Sequence, residues 1–162
     1  MWIYALIYEI AIVYKVNRVN EPHMPLKAYK NMTAYKLFVL DVGLLGAMSE
    51  LPAESILEGN DIFVEFKGAL TEQYVLQQLI SDTPYTPYYY GNEKATFEQD
   101  FLIQKEKSIV PIEVKAEQNI RSQSLKTYCE KFQPEEAVRF STLKYKEQDW
   151  MVNIPLYAVC NL

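Results

Sequence analysis

The chain has 162 residues, of which 49% are hydrophobic and 23% are charged, and its net charge is −5. This length suits one domain, and the apolar content suffices for a core, which excludes a disordered chain. Residues 51–100 carry 2 basic and 9 acidic side chains, whereas each flank has a net charge of only +1. No segment therefore has the basic footprint of a stand-alone nucleic-acid-binding module. Contact with nucleic acid would need a small local patch, a metal or a partner.

The cysteines and the histidine argue against a zinc site. Cys129 and Cys160 form no CxxC motif, and the one histidine, His23, lies beside a proline in a predicted turn. Zinc sites need several such ligands at short spacing. Free thiols in a reducing compartment are the default interpretation, so we expect a cytoplasmic protein.

The most apolar run stands at the N-terminus, from Trp2 to Tyr14. Glu9 interrupts it and Lys15 ends it, so it is too short to span a bilayer of roughly 30 Å. It also lacks the basic start of a signal peptide. We expect no membrane contact and interpret residues 1–35 as a connecting segment that packs on the main domain, residues 36–162. Self-association through this apolar N-terminus is a further hypothesis.

The spacing of apolar residues and of helix breakers predicts strands interleaved with helices. The first part predicts a strand, a turn and a second strand, and then a buried strand at 36–40 that leads through Asp41, a candidate cap, into a helix over 42–48. Helices are predicted at 52–60 and 61–81, then strands at 86–92, 95–104 and 108–117, a helix at 122–133, and strands at 136–143 and 153–161. This order is typical of an α/β sandwich around a mixed sheet.

The strands at 95–104 and 108–117 predict a charged cluster. If residues 105–108 form the turn, Gln104 lies opposite Ile109 and Asp100 lies opposite Glu113. Cross-strand neighbours have Cβ atoms about 4.5–5.5 Å apart. Two carboxylates at that distance repel each other unless a cation lies between them, and Mg²⁺ prefers oxygen ligands.

The same register predicts that Glu98 lies opposite Lys115 and that all four charged side chains share one face of the hairpin. Lys115 could then stabilise an attacking water beside a metal. The alternative is an ordinary solvated strand face, on which Glu98 and Lys115 form a surface ion pair. The spacing alone favours the solvated face.

The helix over 61–81 supplies a third carboxylate, Glu72. It lies on a stripe with Glu65, Ala69, Leu76 and Leu79 that is otherwise largely apolar. A carboxylate there is costly to bury unless it is paired or bound to a metal. The alternative is a salt bridge to Lys67 or to a distant lysine.

These residues resemble a known pattern. Glu72 on a helix, then Asp100, then Glu113-x-Lys115 at the end of a hairpin is the order of the PD-(D/E)XK nuclease superfamily. The longer stretches "AYKLFVLDVGLLGAM", "FKGALTEQYVLQQL", "FEQDFLIQKEKSIVPIEVKAEQ" and "IPLYAV" resemble the C-terminal domain, of unknown function, of a family of prokaryotic AAA-type ATPases. The resemblance covers residues 13 to 162.

The resemblance implies a restriction-endonuclease-like fold, a mixed sheet flanked by helices. It implies Mg²⁺ or Mn²⁺ held by Asp100 and Glu113, with Glu72 completing the acidic cluster and Lys115 assisting the water. Small departures from the family pattern are Gln73, Gln99 and the Tyr90-Gly91 pair, and none removes one of these side chains.

The N-terminal parts of such relatives are largely missing here. Relatives carry a P-loop ATPase domain and a winged-helix-like connection, but this chain has no GxxxxGK[ST] motif and hence no ATP site of that kind. Residues 1–35 resemble the end of the winged helix. On the helix after the Glu-x-Lys strand, Arg121 and Lys126 are candidate phosphate contacts, with solvated side chains as the alternative.

Two functions follow as hypotheses. The first is a Mg²⁺-dependent phosphodiesterase that acts on nucleic acid. The second is a non-catalytic accessory domain that keeps a nuclease-like fold and docks on, or regulates, an AAA-type ATPase partner.

Overall fold

The computed structural model describes residues 13–52, 54–55, 59, 61–91, 97–116 and 122–162, without the side chains of residues 61–63 and 65. The helices with described bounds are α1 (Val42–Met48), α2 (Asp61–Asp82) and α3 (Gln123–Phe132), and Glu54 and Ser55 are also helical. The strands are β1 (Val13–Val19), β2 (Lys30–Val39), β3 (Tyr88–Gly91), β4 (Glu98–Lys105), β5 (Ser108–Lys115), β6 (Val138–Ser141), β7 (Lys146–Gln148) and β8 (Met151–Pro155). Short 3-10 helices span Leu26–Tyr29 and Leu156–Asn161.

The eight strands form one mixed sheet in the order β2-β1-β3-β4-β5-β6-β8-β7. The pairs β1–β3, β5–β6 and β6–β8 are parallel, and the other pairs are antiparallel. Each face of the sheet carries a helix. The predicted fold class, a mixed α/β sheet flanked by helices, is therefore confirmed, and it is consistent with a nuclease-like α/β fold.

The two faces are distinguished by the alternation of side chains along the strands. On one face Leu76 and Leu79 of α2 pack on Phe101, Ile112 and their neighbours. We call this the α2 face. Residues one position along in the same strands point the other way, so that Leu102 and Tyr90 meet Tyr128 of α3. That side is the α3 face.

Polar side chains fix α1 and α2 against the edge strand β2. The carboxylate of Asp41 accepts a hydrogen bond from the Leu44 N–H at 2.8 Å, which confirms the predicted cap. The amide of Gln73, only 2% exposed, donates to the Val39 carbonyl at 2.8 Å and accepts from the Val39 N–H at 3.1 Å. The amide oxygen of Gln77 accepts from the Val42 N–H.

Several predicted boundaries differ from the structure. The last predicted strand, 153–161, is wrong beyond Pro155, because the chain turns there into a 3-10 helix whose Val159 packs into the core. The edge strand β7 was not predicted. β1 lies between β2 and β3 in the main sheet, and β2 runs without a break through residues 35 and 36.

Some predictions fall outside the described residues. They are the apolar run before Val13 and most of the short helix at 52–60. Within the described part of the chain, no helix is long and apolar enough to cross a bilayer.

Candidate active site

The hairpin β4–β5 has the predicted register. Gln104 pairs with Ile109, and the ladder continues regularly to Phe101 opposite Ile112. Only two residues, Glu106 and Lys107, lie between the last paired positions, so the turn is tighter than predicted. Continued by one step, this register places Asp100 opposite Glu113.

The strand β4 is irregular just before that point. Tyr88 of β3 pairs with Leu102, whereas Tyr90 pairs with Gln99, so β4 takes three steps where β3 takes two. One extra residue in a strand is a β-bulge, which interrupts the alternation of side chains and re-aims them. Glu98 consequently reaches Lys36 over the ring of Tyr89, on the α2 face.

Where the backbone ladder between β4 and β5 ends, side-chain hydrogen bonds connect the two strands. The carboxylate of Asp100 accepts a hydrogen bond from the Val114 N–H at 2.8 Å. The amide of Gln99, which is fully buried, donates to the Ile112 carbonyl at 2.6 Å. These two hydrogen bonds connect β4 to β5 where the regular backbone ladder is missing. They also fix the side chain of Asp100 between the two strands.

The environment of Asp100 disfavours its charge. Burial and the nearby carboxylate of Glu72 raise the pKa of Asp100 to about 7, with a smaller contribution from Glu113. The Val114 N–H and the ammonium of Lys36 oppose this rise only in part. A buried carboxyl with a raised pKa among other carboxylates is typical of functional sites, although structural networks also produce it.

Glu113 is almost completely buried, with 1% of the residue exposed. Its Oε1 lies 3.0 Å from Nζ of Lys115, which is itself one-third exposed. Its Oε2 is buried and has no hydrogen-bond partner among the residues that the structure describes. Burying a carboxylate oxygen without a partner costs free energy, and a cation or a proton donor bound at this atom would remove that cost.

The α3 face behind Glu113 is polar. Arg139 of β6 is in register with Glu113 and is 3% exposed. Its guanidinium donates to the amide oxygen of Asn153 at 2.8 Å and to the hydroxyl of Ser122 at 3.2 Å. Burial lowers the pKa of Arg139, and the charge of Glu113 opposes that shift. Arg139 therefore supplies a fixed positive charge beside Glu113.

The third predicted acid, Glu72, has a partner from β2. Its Oε1 lies 2.9 Å from Nζ of Lys36, and the same nitrogen lies 2.7 Å from Oε1 of Glu98. Burial alone would lower the pKa of Lys36, but the two carboxylates outweigh burial and raise it. This contact is the alternative predicted for Glu72 from the sequence, a salt bridge to a lysine distant in the chain.

The predicted arrangement on one face is therefore wrong in part. Glu98 faces the α2 side with Lys36, whereas Glu113 and Lys115 face the α3 side, because the bulge in β4 shifts its alternation. Asp100 lies between the two groups. Within the described ranges, no three carboxylate, histidine or cysteine groups converge as metal ligands.

The two candidate phosphate contacts are placed differently. Lys126 lies on the exposed side of α3, where Glu130 is its neighbour at 3.9 Å. Arg121 lies outside the described residues.

Sequence reasoning missed Lys36, Gln99 and Arg139. Arg139 is the single cation of the short apolar strand β6, and Lys36 comes directly before the apolar end of β2. A cation next to such apolar residues is a usable signal for a buried ion pair. The excess of acidic groups in residues 51–100 was a second signal, because it requires compensation from elsewhere in the fold. Gln99 stood out only as a departure from the family pattern, and its role could not be predicted because it depends on the bulge.

Comparison with known families gives one match. The family "Domain of unknown function (DUF4143)" matches residues 67–158, more than half of the 162 residues. The chain belongs to the DUF4143 family. The matched part of this DUF4143 protein includes Glu72, Asp100, Glu113 and Lys115, whereas Lys36 lies before it. No curated protein and no solved structure matches the chain.

Proposed function

We propose that this DUF4143 domain is a divalent-metal-dependent phosphodiesterase that acts on nucleic acid. The single observation that carries the proposal is the placement of half-buried Asp100 next to buried Glu113 at the end of the β4–β5 ladder. The former has a raised pKa, and the latter has a carboxylate oxygen without a partner among the described residues. Both features indicate a site that needs more positive charge than Lys36, Lys115 and Arg139 supply.

The two carboxylates fit Mg²⁺ or Mn²⁺. Such ions take oxygen ligands and keep several waters, so two protein carboxylates suffice to hold one. Asp100 and Glu113 would hold the ion, and Lys36 already compensates Glu72. When bound, the ion would lower the pKa of a coordinated water and screen the charge of a phosphate.

The remaining roles belong to the chain itself. Lys115 binds one oxygen of Glu113 and leaves the other oxygen for the ion. Because one-third of the Lys115 side chain is exposed, it can also contact a phosphate or the attacking water. Arg139, in register on the neighbouring strand β6, supplies a further positive charge beside Glu113. The Val114 N–H orients Asp100. Protonation of Asp100 competes with the ion, so metal affinity is expected to rise as the pH passes 7.

The test is cleavage of nucleic acid by the purified chain. Supercoiled plasmid, single-stranded DNA and RNA are incubated with millimolar Mg²⁺ or Mn²⁺, with chelator as the blank. Cleavage is expected for the unchanged chain and for Lys107→Ala, which removes an exposed lysine at the far end of the hairpin, but not for Asp100→Asn or Glu113→Gln. Cleavage that persists in both carboxylate variants, or no cleavage of any substrate, contradicts the proposal.

A second candidate is a non-catalytic domain that docks on an AAA-type ATPase partner. It is favoured by the exposed apolar side chains on and after the edge strand β2, of which Met32 is 70% and Leu37 52% exposed. Met48, at the end of α1, is 66% exposed. Under this reading Met32→Ser and Leu37→Ser abolish binding to the ATPase, and Asp100→Asn leaves it unchanged.

A further inference from the structure

A cleft lies at the edge of the sheet where the parallel strands end. It is bounded by α2 on one side and by the residues that follow β6 and β8 on the other, and its volume is about 470 Å³. Sites for small organic groups span roughly 300–1,000 Å³. We call it the α2–β8 cleft and define it by Lys67, Thr71, Tyr74, Thr142, Pro155 and Tyr157.

The register of the sheet places this cleft beside the candidate active site. Ser141, which also lines the cleft, pairs with Lys115 of β5 on one side and with Pro155 of β8 on the other. Neighbouring strands lie about 4.8 Å apart, so the backbone of Pro155 is about 10 Å from that of Lys115 along this row. In open α/β sheets, ligands bind in crevices outside the carboxyl ends of the parallel strands, and this cleft has that position.

The cleft combines aromatic surface with positive charge. Tyr157 is 80% exposed, whereas Tyr74 is half-buried and packs on the core. Pro155 and Leu156 add apolar surface between them. Among the described residues that line the cleft, Lys67 carries the one charged side chain, so no carboxylate opposes an anion there. An aromatic ring near a positive charge suits a nucleotide, because a base stacks on the ring and a phosphate is attracted to the charge.

We propose that the α2–β8 cleft binds one unpaired nucleotide of the substrate, with the base stacked on Tyr157 and the phosphate beside Lys67. The inference rests on the proposed function, because it names the substrate class of the same site. That class is single-stranded DNA or RNA. The bases of an intact duplex are already paired and stacked on each other, so their faces are not available to Tyr157.

A single strand can also reach both parts of this edge. The Lys115 side chain lies with Glu113 on the α3 face, whereas α2 bounds the cleft on the other face. A flexible strand that crosses the edge of the sheet would contact both. Stacking supplies affinity that does not depend on many basic side chains, which fits a chain with a net charge of −5.

The experiment measures binding by fluorescence anisotropy in chelator, so that cleavage does not interfere. The probes are labelled single strands of about 12 nucleotides, one of deoxythymidine and one of uridine, and a blunt duplex. The unchanged chain is expected to bind a single strand at least about tenfold more tightly than the duplex. The comparison of the two single strands distinguishes DNA from RNA as the source of the nucleotide.

The variants test the ring itself. Tyr157→Ala is expected to weaken binding of the single strand about tenfold, whereas Tyr157→Phe, which keeps the ring, stays within about threefold of the unchanged chain. Tyr35→Ala is the matched control, because it removes a tyrosine that is 45% exposed on β2, at the opposite end of the sheet. Its affinity is also expected to stay within about threefold.

Lys67→Gln tests the phosphate contact. One contact with a single strand contributes about 0.7 to the slope of log affinity against log salt concentration. Lys67→Gln is expected to lower the slope by that amount, and Tyr157→Phe to leave it unchanged. An unchanged slope in Lys67→Gln would overturn the assignment of the phosphate to Lys67.

Other results would overturn the inference as a whole. They are equal binding of duplex and single strand, unchanged affinity in Tyr157→Ala, or no binding of any probe. If the chain instead forms a dimer that Tyr157→Ala disrupts, the cleft binds a second copy and not a nucleotide.

The two proposals fail in different ways. If single strands bind through Tyr157 but are not cleaved with metal, the phosphodiesterase function fails and the nucleotide cleft stands. If nucleic acid is cleaved but Tyr157→Ala binds and cleaves single strands like the unchanged chain, the nucleotide cleft fails and the function stands.

Discussion

Asp100→Asn tests the electrostatics of the site without any assumption about substrate. The amide has nearly the shape of the carboxyl, and its oxygen can still accept the hydrogen bond from the Val114 N–H. The substitution therefore removes the ability to ionise and little else.

The magnitude follows from the pKa of Asp100. The folded chain raises it from 3.8 to about 7. Between pH 4 and 7 the folded state keeps a proton that the unfolded chain has lost. Raising the pH through this window therefore lowers the free energy of unfolding, and the loss is complete above about pH 8. A rise of the pKa from 3.8 to about 7 corresponds to an upper bound of about 4 kcal/mol in the free energy of unfolding, and we expect a loss of about 2–4 kcal/mol.

The assay is urea denaturation in chelator at pH 4 and at pH 8. From pH 4 to pH 8, the free energy of unfolding of Asp100→Asn should rise by about 2–4 kcal/mol relative to that of the unchanged chain. Glu130→Gln, which removes an exposed carboxylate on α3, controls for the loss of one charge. Millimolar Mg²⁺ at pH 8 should stabilise the unchanged chain and not Asp100→Asn, because a ligand that binds only the folded state raises its stability.

One result would refute this reasoning. If the stability difference between Asp100→Asn and the unchanged chain stays within about 0.5 kcal/mol from pH 4 to pH 8, Asp100 ionises freely in the fold. The case for a site that needs more positive charge would then lose its main support.

The remaining predictions concern other polar contacts. Gln73→Leu should lower the free energy of unfolding by about 2 kcal/mol, because both backbone groups of Val39 lose their partner, whereas Gln123→Leu at the start of α3 should change it little. Asp41→Ala should cost about 1 kcal/mol in thermal unfolding, and Asp41→Ser should restore most of it, since serine also caps helices. Arg139→Leu should cost roughly 3–5 kcal/mol, because Glu113 stays buried without its compensating charge; a loss below 1 kcal/mol would mean that Lys115 alone compensates Glu113.

The sequence was sufficient for the hairpin and its acids. Alternation and a short polar turn determined the register of β4 and β5, and the position of Glu113 opposite Asp100 followed. Helical spacing likewise identified Glu72 as a carboxylate that needs a partner. These are local patterns with one dominant period, which is why they could be read.

The bulge in β4 and its consequences for the side chains could not be predicted from the sequence. An extra residue in β4 depends on how Tyr88 and Tyr90 pair with it, and that is a contact between strands. The bulge turns Glu98 toward Lys36, which comes from a strand more than 60 positions earlier in the chain. A partner so distant in sequence leaves no periodic signal, so the division of the charges between two faces emerged only from the fold.

The side-chain amides at the edge strand β2 have a consequence for self-assembly. Exposed strand edges invite pairing with further strands, and this edge carries bulky apolar groups. Yet the oxygen of Asn31 occupies the N–H groups of Thr33 and Ala34, and Gln73 occupies both polar groups of Val39. As far as the described residues go, about 10 Å of backbone between these positions is left open to an incoming strand. Edge-to-edge growth into aggregates is thereby hindered, and a partner at this surface must be held by side chains rather than by an added strand.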